Sequence, residues 1–210
     1  METARHNLRL WLVRHAVVAP EALTFLYGNN DVPVCEDSMA AHGSRYAALA
    51  ARLPRPADVV ITPLSRTRLT FEALIRAGYP PSTPRVESAF AEQDFGRWQG
   101  RAIAEFTNRV REDRHPFWPI HAAERPPGGE SFEDLISRVA EGMERLSAAN
   151  LGPDVVIISH GGAIRAACAH ALGLSPHQAL SLSVENISLT RLERQDAAWR
   201  LVSLNEQLST

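Results

Sequence analysis

Two histidines follow short apolar runs and have neighbours suited to holding an anion. Arg14 and His15 come directly after the apolar residues 8–13, and His160 follows the apolar run 155–158. A neutral imidazole can attack phosphorus and form a phosphohistidine, and a nearby guanidinium offers forked donors to phosphoryl oxygens. An Arg-His pair alone is more often a surface feature. The pattern therefore gains weight only if other segments supply matching groups.

Two other segments do supply matching groups. Arg66 stands in the first turn of a predicted helix, where unpaired N–H groups already favour an anion, so it could clamp the same phosphate. Gly161 and Gly162 follow His160 and would let the backbone approach a ligand closely. Alone, His160 would more often be a capping or hydrogen-bonded core residue. As part of the set, it would donate to the phosphoryl group.

An acidic residue is also needed, because alkoxides are poor leaving groups. Glu92 is the candidate proton donor and Asp94 competes with it for that role, although an acidic loop here could simply be solvated. The residues predict in-line attack by His15, with two arginines and His160 stabilising the equatorial oxygens. The carboxylic acid would protonate the departing alcohol.

The length favours a single domain, and the fractions of hydrophobic and charged residues are ordinary for a soluble globular protein. The chain has 210 residues, 45% hydrophobic and 22% charged, with a net charge of -2, so no global field would attract nucleic acid or an anionic membrane. Cys35 and Cys168 lack metal-ligand spacing and are expected to be free thiols. No signal peptide or membrane span is recognised near the N-terminus, and a cytoplasmic protein is the expectation.

Strands alternate with helices along the chain, which predicts an α/β fold. The central sheet should be mostly parallel with helices on both faces, a three-layer sandwich, and ligands would bind beyond the carboxyl ends of its strands. Predicted strands cover residues 8–13, 58–61, 154–159, 186–192 and 199–204, and predicted helices cover 39–53, 65–78, 132–146 and 160–172. Residues 97–127 are rich in proline and aromatic residues and are the candidate lid or specificity segment within one domain, 1–210.

Five motifs in register resemble the histidine phosphatase superfamily, which includes phosphoglycerate mutases. Its Leu-Val-Arg-His-Gly signature is similar to residues 12–16, and its Ser-Pro-Leu-x-Arg-Ala segment to residues 62–67. Its Glu-x-Asp-Phe-Gly-x-Trp-x-Gly, Gly-Gly-Glu-Ser and Ser-His-Gly-Gly motifs are similar to residues 92–100, 128–131 and 159–162. The resemblance spans nearly the whole chain.

The resemblance implies a phosphoglycerate mutase-like fold and a phosphoric monoester hydrolase acting on a small phosphate ester. His15 would be the phosphorylated nucleophile, and neither a metal nor an organic cofactor is implied. Arg14, Arg66 and His160 would complete the phosphate pocket, with Glu92 as the acid. Tyr27 and Gly28, within Tyr-Gly-x-x-Asp-Val-Pro, look most like the α-ribazole phosphatase branch, and Gly28 and Gly161 would approach the substrate through their backbones.

The sequence departs from the family pattern beside the nucleophile. Ala16 replaces the usual glycine, and Val17 and Val18 replace a polar pair, so hydrogen bonds to phosphate are lost there; Thr67 and Leu69 replace the usual alanine and glutamine. Three alternatives remain: a phosphomutase, a phosphate-ligand-binding protein without turnover, and, least favoured, a metal hydrolase. The assembly state is open, with a homodimer as one option. Around the leaving group we expect Tyr27, Trp118, His121 and Arg125.

Overall fold

A six-stranded sheet forms the centre of the molecule. The computed structural model describes residues 7–107, 115–118, 120–149 and 151–209. The strand order is β3-β2-β4-β1-β5-β6; β3, β2, β4 and β1 are parallel, and β5 is antiparallel to both β1 and β6. The strands are β1 (Asn7–Arg14), β2 (Asp58–Ile61), β3 (Arg85–Val86), β4 (Asp154–Ser159), β5 (Leu189–Gln195) and β6 (Ala198–Glu206).

Helices cover both faces of this sheet, as predicted. The α-helices are α1 (Glu36–Ala41), α2 (Gly43–Arg52), α3 (Ser65–Arg76), α4 (Ala104–Thr107), α5 (Phe132–Ala148), α6 (Gly161–Leu172) and α7 (Pro176–Leu180). Short 3-10 helices span Pro20–Thr24, Ser88–Phe90 and Gly96–Trp98. Among the described residues, no helix is long and apolar enough to cross a membrane.

Two apolar clusters separate the three layers. Because strand side chains alternate, Leu10 and Leu12 of β1 join the cluster formed with α5, α6 and α7, whereas Trp11 and Val13 join the one formed with α2 and α3. All six residues of β4 are buried, as expected for a central parallel strand with helices on both sides. The helix predicted after Ser131 is α5, and it begins with the expected capping box between Ser131 and Asp134.

Some predicted boundaries were wrong. The helix expected over 39–53 is two helices, α1 and α2, that meet at His42; the His42 ring bonds the Ser38 carbonyl (2.7 Å), and Gly43 adds backbone freedom. Helix α3 ends at Arg76 rather than at Gly78, which has φ +98°. The strand expected from residue 186 begins at Leu189, because Ile187 has φ +60° and leaves the extended conformation.

The described part of the segment 97–127 contributes to a third, smaller apolar cluster. Leu26, Phe95, Phe106 and Ile120 are buried together there. Residues 108–114 and 119 of this segment lie outside the described residues. Its role as a lid, and the organisation of residues 1–210 as one domain, stay predictions.

Candidate active site

Three neighbouring strands end at the same edge of the sheet. The register pairs Arg14 of β1 with Ser159 of β4, and Ile61 of β2 with Ile158 of β4. The next residues along the chain are His15, Thr62 and His160, which lie together: the two imidazole rings are 5.0 Å apart, and Thr62 Oγ1 is 2.9 Å from His160 Nε2. Parallel pairing thus brings together residues more than a hundred positions apart.

The backbone sets the protonation state of His15. Its Nδ1 lies 2.6 Å from the carbonyl oxygen of Ala16, and a carbonyl can only accept a hydrogen bond, so Nδ1 carries the proton. The lone pair is therefore on Nε2. Asn186 Nδ2 donates to the carbonyls of His15 (2.8 Å) and Ala16 (3.2 Å) and so holds this stretch of backbone.

Burial and neighbouring cations keep both imidazoles neutral. His15 is 1% exposed and His160 is fully buried. Burial, followed by the charges of Arg66 and Arg14, holds the pKa of His15 well below its ordinary value of 6.5. Burial and the Arg66 charge also lower the pKa of His160 well below 6.5. A neutral His15 ring is the form that can act as a nucleophile.

Arg66 is fully buried and joins three parts of the site. It donates through Nε to His160 Nδ1 (3.2 Å) and through its terminal nitrogens to the carbonyls of Gly28 (2.7 Å) and Asn30 (2.8 Å). His160 Nδ1 accepts, so its Nε2 carries the proton and donates to Thr62. Both ring nitrogens of His160 thus have protein partners, and its predicted donation to a phosphoryl group requires one of them to exchange partners.

Arg14 and Arg165 face each other across Gly161. A Cβ placed on Gly161 would lie 3.1 Å from Arg165 Nη1 and 3.4 Å from Arg14 Nε. Arg14 donates to the Val184 carbonyl (2.5 Å), and its buried Nε has no partner among the described residues. Burial and the Arg14 charge lower the pKa of Arg165. Among the described residues, no carboxylate is hydrogen-bonded to either guanidinium, so the pair has the charge and the free donors that an anion would need.

Glu92 reaches the same edge from the loop after the 3-10 helix Ser88–Phe90. Its Oε2 accepts from the backbone N–H of Gly162 (3.1 Å), in the first turn of α6, and its Oε1 accepts from Gln93 N–H (3.0 Å). Its competitor Asp94 instead accepts from Gly96 N–H (2.7 Å) and stabilises the following turn. The contacts therefore favour Glu92 over Asp94 as the proton donor.

Tyr27 and Gly28 lie against Arg66. The Arg66 guanidinium carbon is 5.4 Å from the centre of the Tyr27 ring. Gly28 has φ +45°, and a Cβ there would approach the Gln93 carbonyl oxygen to 2.5 Å, so glycine is required. The carbonyl of Gly28 binds Arg66; direct contact of either residue with substrate stays a prediction.

The residues expected around the leaving group are dispersed. Trp118 packs under Arg165, whose guanidinium carbon is 5.3 Å from the ring centre. Arg125 pairs with Asp134 (2.5 Å), and His121 Nδ1 accepts from Ala123 N–H (3.2 Å). Of these three, Trp118 alone contacts one of the pocket arginines. Cys35 and Cys168 are free, and the described residues contain no cluster of His, Cys, Asp or Glu that could hold a metal.

Sequence reasoning missed Arg165 and Asn186. Arg165 did carry a signal, because it is the only charged residue of the apolar helix α6 before His170. Asn186 precedes Ile187, a buried β-branched residue at φ +60°, and such backbone strain concentrates at functional sites. That strain is invisible in the sequence. The N–H of Ile187 donates to the Arg14 carbonyl (3.0 Å), which ties the segment to the end of β1.

The profile of the histidine phosphatase superfamily (branch 1) matches residues 10–207 of the chain. The chain belongs to this superfamily. The motif resemblance is thereby confirmed. The probable phosphoglycerate mutase GpmB of Photorhabdus laumondii is 26% identical over 192 residues, which cover 91% of this chain and 87% of that protein.

Solved structures of two phosphatases have a similar fold. A mycobacterial glucosyl-3-phosphoglycerate phosphatase is 26% identical, with a TM-score of 0.76 over 95% of this chain and 99% of that one. The α-ribazole phosphatase from Shigella flexneri is 19% identical, with a TM-score of 0.76 over 97% and 98% of the two chains, a likeness of fold alone. The similar proteins thus include phosphatases and proteins named as mutases.

Proposed function

We propose that this histidine phosphatase superfamily member hydrolyses phosphomonoesters of small metabolites through a phosphohistidine at His15. The observation that carries the proposal is the hydrogen bond from His15 Nδ1 to the Ala16 carbonyl, which leaves Nε2 as the bare nitrogen. Arg66 and Arg14 place positive charge beside the imidazole pair, and Arg165 lies next to Arg14 across Gly161. A phosphoryl group bound there would face a nucleophile that needs no prior deprotonation.

The reaction would proceed in two steps. In the first, His15 Nε2 attacks phosphorus, the ester P–O bond breaks, and protonated Glu92 gives its proton to the departing alcohol. In the second step, water attacks the phosphorus of the phosphohistidine while the Glu92 carboxylate takes a proton from that water. Inorganic phosphate leaves and His15 is regenerated. The guanidiniums stabilise the charge on the equatorial oxygens in both steps.

A cavity beside Glu92 offers room for the alcohol part of the substrate. Its volume is about 450 Å³, and its lining includes Asn29, Leu64, Glu92, Asp94, Glu130 and Arg138. A space of this size suits a small metabolite. Most of these side chains can form hydrogen bonds, so a hydroxylated alcohol fits the cavity better than a purely apolar one.

The direct test is release of inorganic phosphate from p-nitrophenyl phosphate. His15→Ala should abolish turnover, and incubation of the wild type with a labelled ester should leave acid-labile label on His15. His42→Ala is the matched control, because that imidazole lies between α1 and α2 and belongs to none of the site contacts. Wild-type rates in His15→Ala would refute the mechanism. Ligand-dependent thermal stabilisation without phosphate release would instead indicate a binding protein.

The physiological ester should be sought in a phosphate-release screen. Sugar phosphates, nucleotides, glucosyl-3-phosphoglycerate and α-ribazole phosphate form the panel, with His15→Ala as the blank. α-Ribazole phosphate is included for the residues at Tyr27 and Gly28, and glucosyl-3-phosphoglycerate for the mycobacterial structure. The true substrate should exceed the others in kcat/KM by at least tenfold.

A phosphomutase is the second candidate. The GpmB relative is named as a probable phosphoglycerate mutase, and its similarity to this chain covers most of both proteins. A mutase must keep water out and return the phosphoryl group to the bound product. Phosphorus NMR of a reaction with 3-phosphoglycerate separates the two activities. Inorganic phosphate as the main product supports hydrolysis, whereas 2-phosphoglycerate supports the mutase.

A further inference from the structure

One arginine holds the loop that carries Glu92. Arg138, on α5, donates through Nη1 to the carbonyls of Ser88 (3.0 Å) and Ala89 (2.8 Å). Through Nη2 it donates to the carbonyls of Ala91 (3.2 Å) and of Glu92 itself (3.4 Å). Four carbonyls from five consecutive residues therefore converge on a single guanidinium.

Glu130 fixes the guanidinium from the opposite side. Its two carboxylate oxygens accept from Arg138 Nε (3.1 Å) and Nη2 (2.6 Å), a bidentate pair with side chains 29% and 16% exposed. The Oε1 of Glu130 also accepts from Asp94 N–H (3.0 Å), and its carbonyl accepts from Gln93 Nε2 (3.0 Å). Gln93 and Asp94, which follow Glu92, are thus bound to Glu130, and Ala91, which precedes it, is bound to Arg138.

This arrangement determines where the Glu92 carboxylate lies. A proton donor must stay within hydrogen-bond reach of the leaving oxygen, and a shift of about 1 Å at a catalytic group can cost ~100-fold in rate. The Gly162 N–H orients the Glu92 carboxylate. That hydrogen bond does not fix the backbone of Glu92. Arg138 does fix that backbone, because its planar fork holds several acceptors in one geometry.

We propose that Arg138, held by Glu130, is a positioning residue for proton donation by Glu92. The inference rests on the proposed function. A positioning role predicts that loss of Arg138 lowers activity more on an ester with a poor leaving group than on one with a good leaving group, because a poor leaving group depends more on protonation by Glu92. A merely structural role does not predict this difference. An alkyl phosphate needs the proton, whereas p-nitrophenolate departs readily without it.

The experiment compares kcat/KM for glycerol 2-phosphate and p-nitrophenyl phosphate in the wild type and in Arg138→Met. Since general acid catalysis contributes roughly 10²–10⁴-fold, the variant should lose at least about tenfold more activity on the alkyl ester than on the aryl ester. Glu92→Gln sets the benchmark and should show the same split. In the Glu92→Gln background, Arg138→Met should widen the split no further.

Arg145→Met is the matched control, because it removes another guanidinium from α5 whose contacts are with the carboxylates of Glu87 and Glu141. It should keep the wild-type ratio between the two esters. Arg138→Lys and Glu130→Gln give a readout if Arg138→Met does not fold. Each should shift the ratio in the same direction by a smaller factor.

Equal losses on both esters in Arg138→Met, Arg138→Lys and Glu130→Gln would overturn the inference. A larger difference between the esters when Arg138→Met is added to Glu92→Gln would also overturn it. The proposed function fails differently. In that case the wild type would cleave neither ester, or His15→Ala would still release phosphate.

Discussion

The proton on His15 is placed by a backbone carbonyl rather than by a carboxylate. A carbonyl does not titrate near neutral pH, so the bond between His15 and Ala16 leaves Nε2 bare over a wide range of pH. Replacing the side chain at residue 16 does not remove that acceptor. This explains how Ala16 can stand where the family pattern has glycine.

We expect NMR of the His15 ring to show this state directly. Burial and the charges of Arg66 and Arg14 lower the pKa of His15 well below 6.5, so its ring signals should stay unchanged between pH 8 and pH 6. The ring nitrogen shifts should report a proton on Nδ1. A titration midpoint near 6.5, or a proton on Nε2, would contradict the geometry.

Gly162→Ala should impair catalysis while sparing the fold. A Cβ at residue 162 would lie 2.2 Å from Glu92 Oε1 and must displace that carboxylate. Alanine otherwise suits a helix better than glycine. We expect kcat/KM on an alkyl phosphate to fall at least about tenfold, because general acid catalysis commonly contributes more than that to the rate. The thermal stability should change little.

Gly43→Ala is the control for that substitution. Residue 43 is also a glycine in the first turn of a helix, and a Cβ there meets nothing within 4 Å. It should leave kcat/KM unchanged. Equal activity in the two alanine variants would show that Glu92 can move without cost.

The sequence indicated candidate site residues at the ends of recognisable elements, and it missed residues whose contacts depend on the fold. His15, Arg66 and His160 could be found because each begins or ends a recognisable element. Asn186 reaches the carbonyl of His15 from 171 positions away, a pairing that local spacing does not contain. The role inferred for Arg138 likewise depends on which carbonyls face α5.

Elements were predictable where their own residues determine them. The apolar runs of β1, β2 and β4 and the capped periodic pattern of α5 appear close to the expected bounds. Strand β3 consists of two exposed residues that pair with the edge of β2. The strand depends on that pairing, so its own residues gave no pattern from which it could be predicted. The interruption of 39–53 occurs at His42, whose backbone (φ −94°, ψ 20°) leaves the helical conformation between α1 and α2.

The N-terminal cap of helix α5 should contribute measurably to the stability of the protein. Ser131→Ala removes the acceptor for Asp134 N–H (3.1 Å) and half of the capping box. Losing such a cap should lower the free energy of unfolding by about 1 kcal/mol. Ser137→Ala, an exposed site within the same helix, should cost less than half as much in urea unfolding. Equal effects would show that the cap adds nothing beyond helix propensity.

For the molecule as a whole, the buried imidazoles predict loss of stability in acid. The folded state keeps His15 and His160 neutral because burial lowers both pKa values, whereas the unfolded chain binds protons as the pH falls below 6.5. The unfolded state then holds more protons, so stability declines from about pH 6.5 downward. Each such proton is worth about 1.4 kcal/mol per pH unit.

Urea unfolding between pH 7.5 and pH 5 checks this expectation. His160→Gln should be less stable at neutral pH but show a shallower decline in acid than the wild type, since one buried imidazole is gone. Parallel curves for the two proteins would mean that His160 does not contribute to the pH dependence.

The apposed guanidiniums of Arg14 and Arg165 have a consequence for turnover. Their repulsion persists while the pocket holds only water and is relieved whenever a tetrahedral oxyanion enters, whether ester or product. Inorganic phosphate should therefore dissociate slowly and compete with fresh substrate. If the proposed hydrolysis operates at this site, its product would inhibit the enzyme, and the rate would fall as the phosphate concentration of the surroundings rises.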